Sequence, residues 1–129
     1  MNKNKYAGAF TWLVVAGAVA AVFYLFIFSS VSAPENDLAE FAICLKDRGA
    51  VFYGAFWCSH CEAQKKEFGA AADSLPYIEC STPDGNGQTA ECRAKNITGY
   101  PTWEFADGSR ESGELALETL AEKTGCVLP

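Results

Sequence analysis

The sequence is poor in positive charge, has a single histidine, and contains no internal repeat or low-complexity segment. Its 129 residues allow one globular domain. Ten lysines and arginines stand against sixteen aspartates and glutamates, and no basic run occurs. An acidic chain of this kind is a poor nucleic-acid binder, so we expect no nucleic-acid partner and attribute the charge to solubility.

Charge is absent altogether from residues 7–28. At 1.5 Å rise per residue, a helix of this length spans a bilayer core of about 30 Å. Lys3 and Lys5 precede the run and acidic residues follow it, which favours a cytoplasmic N-terminus. We therefore predict a cytoplasmic N-terminus (1–6), a transmembrane signal anchor (7–28), a linker (29–36) and an extracytoplasmic domain (37–129).

A cleaved signal peptide is the alternative for the same segment. Val31-Ser32-Ala33 has the small residues of a cleavage site. However, Pro34 would directly follow the cut, and the apolar run exceeds the usual 7–15 residues of a signal peptide. The sequence favours the uncleaved anchor.

All six cysteines follow the predicted anchor, and they are Cys44, Cys58, Cys61, Cys80, Cys92 and Cys126. An even and dense set outside the cytoplasm predicts disulfides. Six cysteines permit 15 pairings, so spacing alone leaves the connectivity open.

Cys58 and Cys61 form a Cys-x-x-Cys motif around Ser59 and His60. At the start of a helix the first sulfur meets unpaired N–H groups and the positive helix end, which favours a nucleophilic thiolate. Cys61, one turn on, is placed to resolve a mixed disulfide. A cationic His60 would favour the thiolate and make the disulfide more oxidising, although His60 also fits a plain surface residue. The pair also fits a structural disulfide or half a zinc site, but no second close pair follows.

Hydrophobic periodicity and turn residues predict four helices and four strands. The helices are predicted over 37–48, 59–72, 88–96 and 115–124, and the strands over 50–55, 75–80, 102–106 and 109–112. Residues 81–87 have loop composition, Asp107-Gly108 predicts a hairpin, and Gly125 predicts a helix end. The order α-β-α-β-α-β-β-α is that of an α/β thioredoxin-like fold without its first strand. Pro101 then lies where that fold places a cis-proline beside the Cys-x-x-Cys motif.

Four stretches resemble the thioredoxin-like domain of the bacterial and plant vitamin K epoxide reductase homologues. They are residues 49–61, 64–69, 77–80 and 97–103. The resemblance implies a disulfide oxidase of exported proteins, with no cofactor of its own, in the periplasm or thylakoid lumen. This sequence shows no fused helical bundle, so a separate vitamin K epoxide reductase-like membrane protein is the expected electron acceptor.

The resemblance also implies a second disulfide, Cys80–Cys92, which would either staple the loop or relay electrons. Cys44 and Cys126 depart from the family pattern. We predict a bridge between them from their positions near the ends of the first and last helices, although these helices are expected on different faces of the sheet. Two unpaired thiols are the alternative.

Candidate substrate-binding residues are Tyr100 and Trp57, beside the catalytic candidates Cys58, Cys61, His60 and Pro101. Phe56 and Trp57 also fit a scaffold role. Thioredoxin-type reductases bury an acid where this chain has Phe52, which argues against a reductase of the cytochrome c maturation type. A non-catalytic adaptor that presents a client to a membrane reductase is the remaining alternative.

Overall fold

The chain forms two compact units, Met1–Ala33 and Pro34–Pro129. The computed structural model describes residues 15, 17–24 and 35–129. In the first unit, residues 15 and 17–24 are helical and their side chains are exposed. Most of the predicted anchor (7–28) and linker (29–36) lies outside the described residues. Among those that are described, none of the helices combines the length and apolarity needed to cross a bilayer.

The second unit is a mixed α/β domain whose four-stranded sheet fits a thioredoxin-like fold. Its elements are α1 (Glu35–Asp47), β1 (Val51–Gly54), α2 (Ser59–Glu67), a 3₁₀ helix (Gly69–Ser74), β2 (Tyr77–Glu79), α3 (Ala90–Ala94), β3 (Thr102–Glu104), β4 (Arg110–Ser112) and α4 (Leu117–Thr124). The sheet order is β2-β1-β3-β4. Strand β1 runs parallel to β2, and β3 is antiparallel to both of its neighbours. The predicted order of helices and strands is confirmed.

The predicted helix over 59–72 is wrong in its last turn. α2 ends at Glu67 and a separate 3₁₀ helix begins at Gly69. Gly69 has a φ of 54°, in the left-handed region that glycine adopts without a steric penalty. The break lets Phe68 turn into the core, where its ring stacks on that of Phe41 at 6.0 Å.

The sheet separates two apolar clusters because successive side chains of β1 point to opposite faces. Phe52 belongs to the larger cluster and stacks on Trp103 with ring centroids 4.7 Å apart. Tyr53 belongs to the smaller cluster, with Cys80, Cys92 and Ile97.

Helices α1 and α4 contribute to the same cluster. Phe41 and Leu45 of α1 and Leu120 of α4 are all fully buried in the cluster that contains Phe52. The expectation that these helices cover different faces is therefore wrong. Their direct packing brings the chain that follows Gly125 back to α1.

Two disulfides are formed in this domain, and they join Cys44 to Cys126 and Cys80 to Cys92. The first ties α1 to the segment after α4 across 82 residues. The second closes 12 residues and holds the loop between β2 and α3 against the smaller cluster.

Replacing Cys44 and Cys126 together by alanine should lower the free energy of unfolding by about 4 kcal/mol, because the bridge restricts a long segment of the unfolded chain. Denaturant titration without reductant measures the difference. In the presence of reductant the variant and the unmodified chain should become equally stable. Equal stability in both buffers would contradict a stabilising role for the bridge.

Candidate active site

The candidate active site begins at the N-terminus of α2, where Cys58 is the N-cap residue. Its sulfur accepts a hydrogen bond from the backbone N–H of Cys61 at 3.3 Å. The carbonyl of Cys58 accepts the N–H of Glu62 at 3.1 Å, which starts the helix. The Cys58 sulfur thus occupies the place that a serine or aspartate oxygen takes in other helices, next to unpaired N–H groups.

Cys58 and Cys61 are not bonded to each other in the structure, and both are described as thiols. Cys58 is 7% exposed and Cys61 is completely buried. Burial, reinforced by the neighbouring Cys58 thiol, raises the pKa of the Cys61 thiol to about 12. The two sulfurs differ in access, and Cys58 is the one that an incoming sulfur can reach.

Gly54, the last residue of β1, lies directly under Cys61. A β-carbon at Gly54 would lie 3.1 Å from the Cys61 sulfur and 2.6 Å from Cε2 of Tyr77. Any other residue would therefore push α2 or Tyr77 away from the sheet. The missing side chain lets the buried thiol pack against the strand.

His60 is paired with a residue from a distant part of the chain. Its Nδ1 lies 2.6 Å from Oε1 of Glu114, which precedes α4. The His60 side chain is 71% exposed. His60 is thus a surface residue with a defined partner rather than a freely solvated one.

Exposed aromatic side chains border the thiols. Phe56 and Trp57 are 51% and 56% exposed. The indole N–H of Trp57 donates to Oγ of Ser81 at 2.8 Å, and its ring packs edge-on against Tyr100 at 5.8 Å. Gly85 lies close to both Phe56 and Trp57, so the loop closed by the second disulfide supports this rim.

Tyr100 and Pro101 meet this rim from the start of β3. The bond between them is cis, and Pro101 is fully buried. The carbonyl of Pro101 accepts the N–H of Gly113 at 2.9 Å. Gln88 donates to the hydroxyl of Tyr100 at 2.8 Å, which fixes the ring beside Trp57. The structure thus brings Cys58, Cys61, Trp57 and Tyr100 to one side of the domain.

The chain is similar to a thiol-disulfide oxidoreductase. LTO1 of Arabidopsis thaliana, which carries that name, is 47% identical to it over 89 residues. The match covers 65% of this chain and 23% of LTO1, so the chain spans about a quarter of the length of that relative. No protein-family model matches the chain. The identity and the fold together support a thioredoxin-like redox domain.

The remaining cysteines do not supply further metal ligands to the motif. Cys80 and Cys92 are bonded to each other, and so are Cys44 and Cys126. Cys80 and Cys92 are also completely buried, in the cluster on the opposite face from Cys61. This placement favours the staple over the electron relay for Cys80–Cys92.

A buried side chain that the sequence analysis did not single out holds the site together. Gln64 of α2 is completely buried and uses all of its hydrogen-bonding capacity. Its Oε1 accepts from the indole of Trp103 at 3.2 Å and from the N–H of Leu115 at 2.7 Å. Its Nε2 donates to the carbonyl of Leu115 and to the carboxylate of Glu67, both at 2.9 Å.

Gln64 links the position of Glu114 to that of α2. Because Leu115 is held by Gln64 through both backbone groups, the preceding Glu114 is fixed next to His60. A signal for this role existed in the sequence. Cys61, Gln64 and Phe68 lie on one helical face, and a polar residue on an otherwise apolar face has to find buried partners. Its partner Leu115 is 51 residues away, which spacing alone does not identify.

Changing Gln64 to leucine should lower the free energy of unfolding by about 3–6 kcal/mol. The change leaves the buried indole N–H of Trp103 without a partner, at about 1–3 kcal/mol, and costs about 1–1.5 kcal/mol for each of the two half-buried backbone groups of Leu115. Thermal or denaturant unfolding measures the loss. Lys66→Leu, an exposed change in the same helix, is the matched control and should stay within about 0.5 kcal/mol. A similar small effect for both variants would contradict the role of Gln64.

Proposed function

We propose that the chain is a thiol–disulfide oxidoreductase that oxidises exported proteins through the Cys58–Cys61 couple. The observation that carries the proposal is the pair itself, with a slightly exposed cysteine at a helix N-cap and a completely buried cysteine one turn behind it. Thiolate attack needs a stabilised and reachable sulfur, and resolution needs a second sulfur held close. The relative from Arabidopsis thaliana is named for this class of reaction.

In the oxidase direction the client's thiolate attacks the Cys58 sulfur of the Cys58–Cys61 disulfide. The bond between the two enzyme sulfurs breaks, and Cys61 leaves as a thiolate that takes up a proton. A second client thiolate then attacks the client sulfur of the mixed disulfide and releases Cys58. The client gains a disulfide, and the enzyme is left as the dithiol.

A non-catalytic adaptor with a Cys-x-x-Cys staple fits these observations less well. The two long-range disulfides already connect α1 to the C-terminal segment and β2 to α3. A bond between Cys58 and Cys61 would join residues already adjacent on one helical turn and would add little constraint. The disulfides that constrain the fold are therefore Cys44–Cys126 and Cys80–Cys92.

Clients are proposed to dock on the aromatic rim. Trp57 and Phe56 expose about half of their surface next to Cys58, and Tyr100 lies edge-on to Trp57. Aromatic rings give apolar contact that does not depend on one client sequence. Such contacts suit an enzyme that accepts many exported proteins with cysteines.

The compartment and the electron acceptor are proposed from the sequence. Two disulfides outside the motif suit an oxidising compartment, either a periplasm or a thylakoid lumen. The uncharged run 7–28 is proposed as a single-pass anchor with a cytoplasmic N-terminus. A vitamin K epoxide reductase-like membrane protein that uses quinone is the proposed acceptor of electrons from the reduced pair.

The Cys61→Ala variant of the full chain should accumulate mixed disulfides with exported proteins, because the Cys58 thiolate attacks disulfides of these proteins, releasing their other sulfur as a thiolate, and the Cys61 thiol that would resolve the adduct is missing. Non-reducing electrophoresis of acid-quenched cells, followed by reduction, measures the adducts. A Cys58→Ala/Cys61→Ala variant is the control and should show none. Adducts that persist in this control, or that need Cys61 rather than Cys58, would refute the assigned roles.

The reduction potential of the pair tests the direction. A value of about −120 to −180 mV supports an oxidase, whereas about −270 mV supports a reductase such as the cytochrome c maturation type. His60→Ala should make the potential more negative by about 30 mV or more, because the variant lacks the imidazole that, when protonated, favours the Cys58 thiolate of the reduced form; 30 mV is tenfold in the equilibrium constant. Equilibration with glutathione buffers measures both. Lys66→Ala, which removes a cation further along α2, should leave the potential unchanged.

A further inference from the structure

Cys61 has to lose its proton whenever it attacks a mixed disulfide on Cys58. It is completely buried, and its raised pKa leaves very little thiolate at neutral pH. A nearby proton acceptor would remove this barrier. Strand β1 beneath it supplies none, since Phe52 is stacked on Trp103 and the strand ends at Gly54.

The side chain of Tyr77 approaches Cys61 from the neighbouring strand. A β-carbon built on Gly54 would lie 3.1 Å from the Cys61 sulfur and 3.3 Å from the Tyr77 hydroxyl oxygen. The sulfur and the hydroxyl therefore lie against the same point of β1, with only a glycine there. Gly54 is what allows the two groups to approach each other.

The hydroxyl of Tyr77 is already committed to a carboxylate. It donates to Oε2 of Glu79 at 2.7 Å. Oε1 of Glu79 accepts the N–H groups of Ser81 at 2.8 Å and of Phe56 at 3.2 Å. The hydroxyl and both N–H groups are hydrogen-bond donors, so the Glu79 carboxylate acts only as an acceptor. It lies at the base of the loop that carries Cys58. Because Tyr77 donates its own proton to Glu79, its oxygen is free to accept another.

We propose that Tyr77 and Glu79 form a proton relay that takes the thiol proton of Cys61 when Cys61 attacks the mixed disulfide on Cys58. The proton of Cys61 passes to the Tyr77 oxygen, and the Tyr77 proton passes to the Glu79 carboxylate. The Cys61 sulfur bonds to the Cys58 sulfur, and the other sulfur of the mixed disulfide leaves as a thiolate. The enzyme dithiol is thereby oxidised to the disulfide and the departing partner is reduced. The relay rests on the proposed exchange function.

The other charged groups at this point do not replace the relay. Lys65 of α2 lies 3.9 Å above the Tyr77 ring and pairs with Glu62 at 3.2 Å. As an ammonium group it favours a Cys61 thiolate but has no lone pair with which to take a proton. Burial is the main cause that raises the pKa of Tyr77, and the Glu79 hydrogen bond adds to it, while Glu79, Cys61 and Glu62 contribute charge. Tyr77 thus remains a hydroxyl that passes a proton on rather than a tyrosinate.

The test separates the two sulfurs in one reaction. The full chain, with only the Cys58–Cys61 pair reduced, is mixed with excess Ellman's reagent in a stopped-flow instrument. The first release of thionitrobenzoate reports attack by Cys58, and the second reports attack by Cys61 on the mixed disulfide. Tyr77→Phe keeps the ring and removes only the hydroxyl. It should slow the second phase about 100-fold at pH 7, within the usual range for general-base catalysis, and leave the first phase unchanged.

The pH profile distinguishes a relay from a packing role. With the relay, the second phase should vary little between pH 6 and pH 8. In Tyr77→Phe it should rise about tenfold per pH unit, because attack then depends on free ionisation of a thiol whose pKa is about 12. Adding Glu79→Gln to Tyr77→Phe should slow it no further. Glu62→Gln, which removes a carboxylate from the same neighbourhood, is the matched control and should change the second phase less than threefold.

Two outcomes overturn the relay: a second phase in Tyr77→Phe with the rate and pH profile of the unmodified chain, or an equal slowing of both phases, which marks a structural role. If the unmodified chain itself shows no second phase, the proposed function fails instead, because Cys61 then does not resolve the adduct.

Discussion

The buried amide of Gln64 is the interaction on which the rest of this domain depends. Three of its four hydrogen bonds join α2 to β3 and to the segment before α4, and the fourth stays within α2. Apolar contacts allow small sliding movements, whereas a fully paired amide permits one arrangement. The helix that carries the thiols is thereby fixed to the centre of the sheet. The same contact places Glu114 beside His60, so the histidine between the two thiols has its hydrogen-bond partner more than fifty positions away.

The local features of this fold could be predicted from the sequence, because each depends on residues close together in the chain. The Cys-x-x-Cys helix and the Asp107-Gly108 turn are of this kind. Gly69 breaks the helix because of its backbone conformation, although the residues that follow it are good helix formers. The partners of Gln64 and His60 could not be predicted in this way. They follow from the order of strands and the packing of helices, which place residues 51 and 54 positions apart in contact.

The sheet keeps the two kinds of cysteine chemistry apart. Cys58 and Cys61 belong to the cluster on one face, and the Cys80–Cys92 disulfide is buried in the cluster on the other. Gly54 stands between them, since its carbonyl accepts the N–H of Cys80 while its α-carbon faces the Cys61 sulfur. Exchange between the pairs would require the strand to open. The Cys80–Cys92 disulfide can therefore support the loop beside Phe56 and Trp57 without exchanging with Cys58 or Cys61.

The order of the strands also explains which strand can carry a carboxylate that accepts a proton from the buried Cys61 thiol. β1 is central and its Phe52 is stacked on Trp103, so a carboxylate at that position would replace an aromatic contact and lie unpaired in the core. β2 is an edge strand, and its residues are only partly buried. A carboxylate on β2 can accept hydrogen bonds from the adjacent loop and still exchange protons with water. Tyr77 lies two residues before Glu79 on the same face of β2. Its long side chain connects the Glu79 carboxylate at the edge of the sheet to the buried Cys61 thiol.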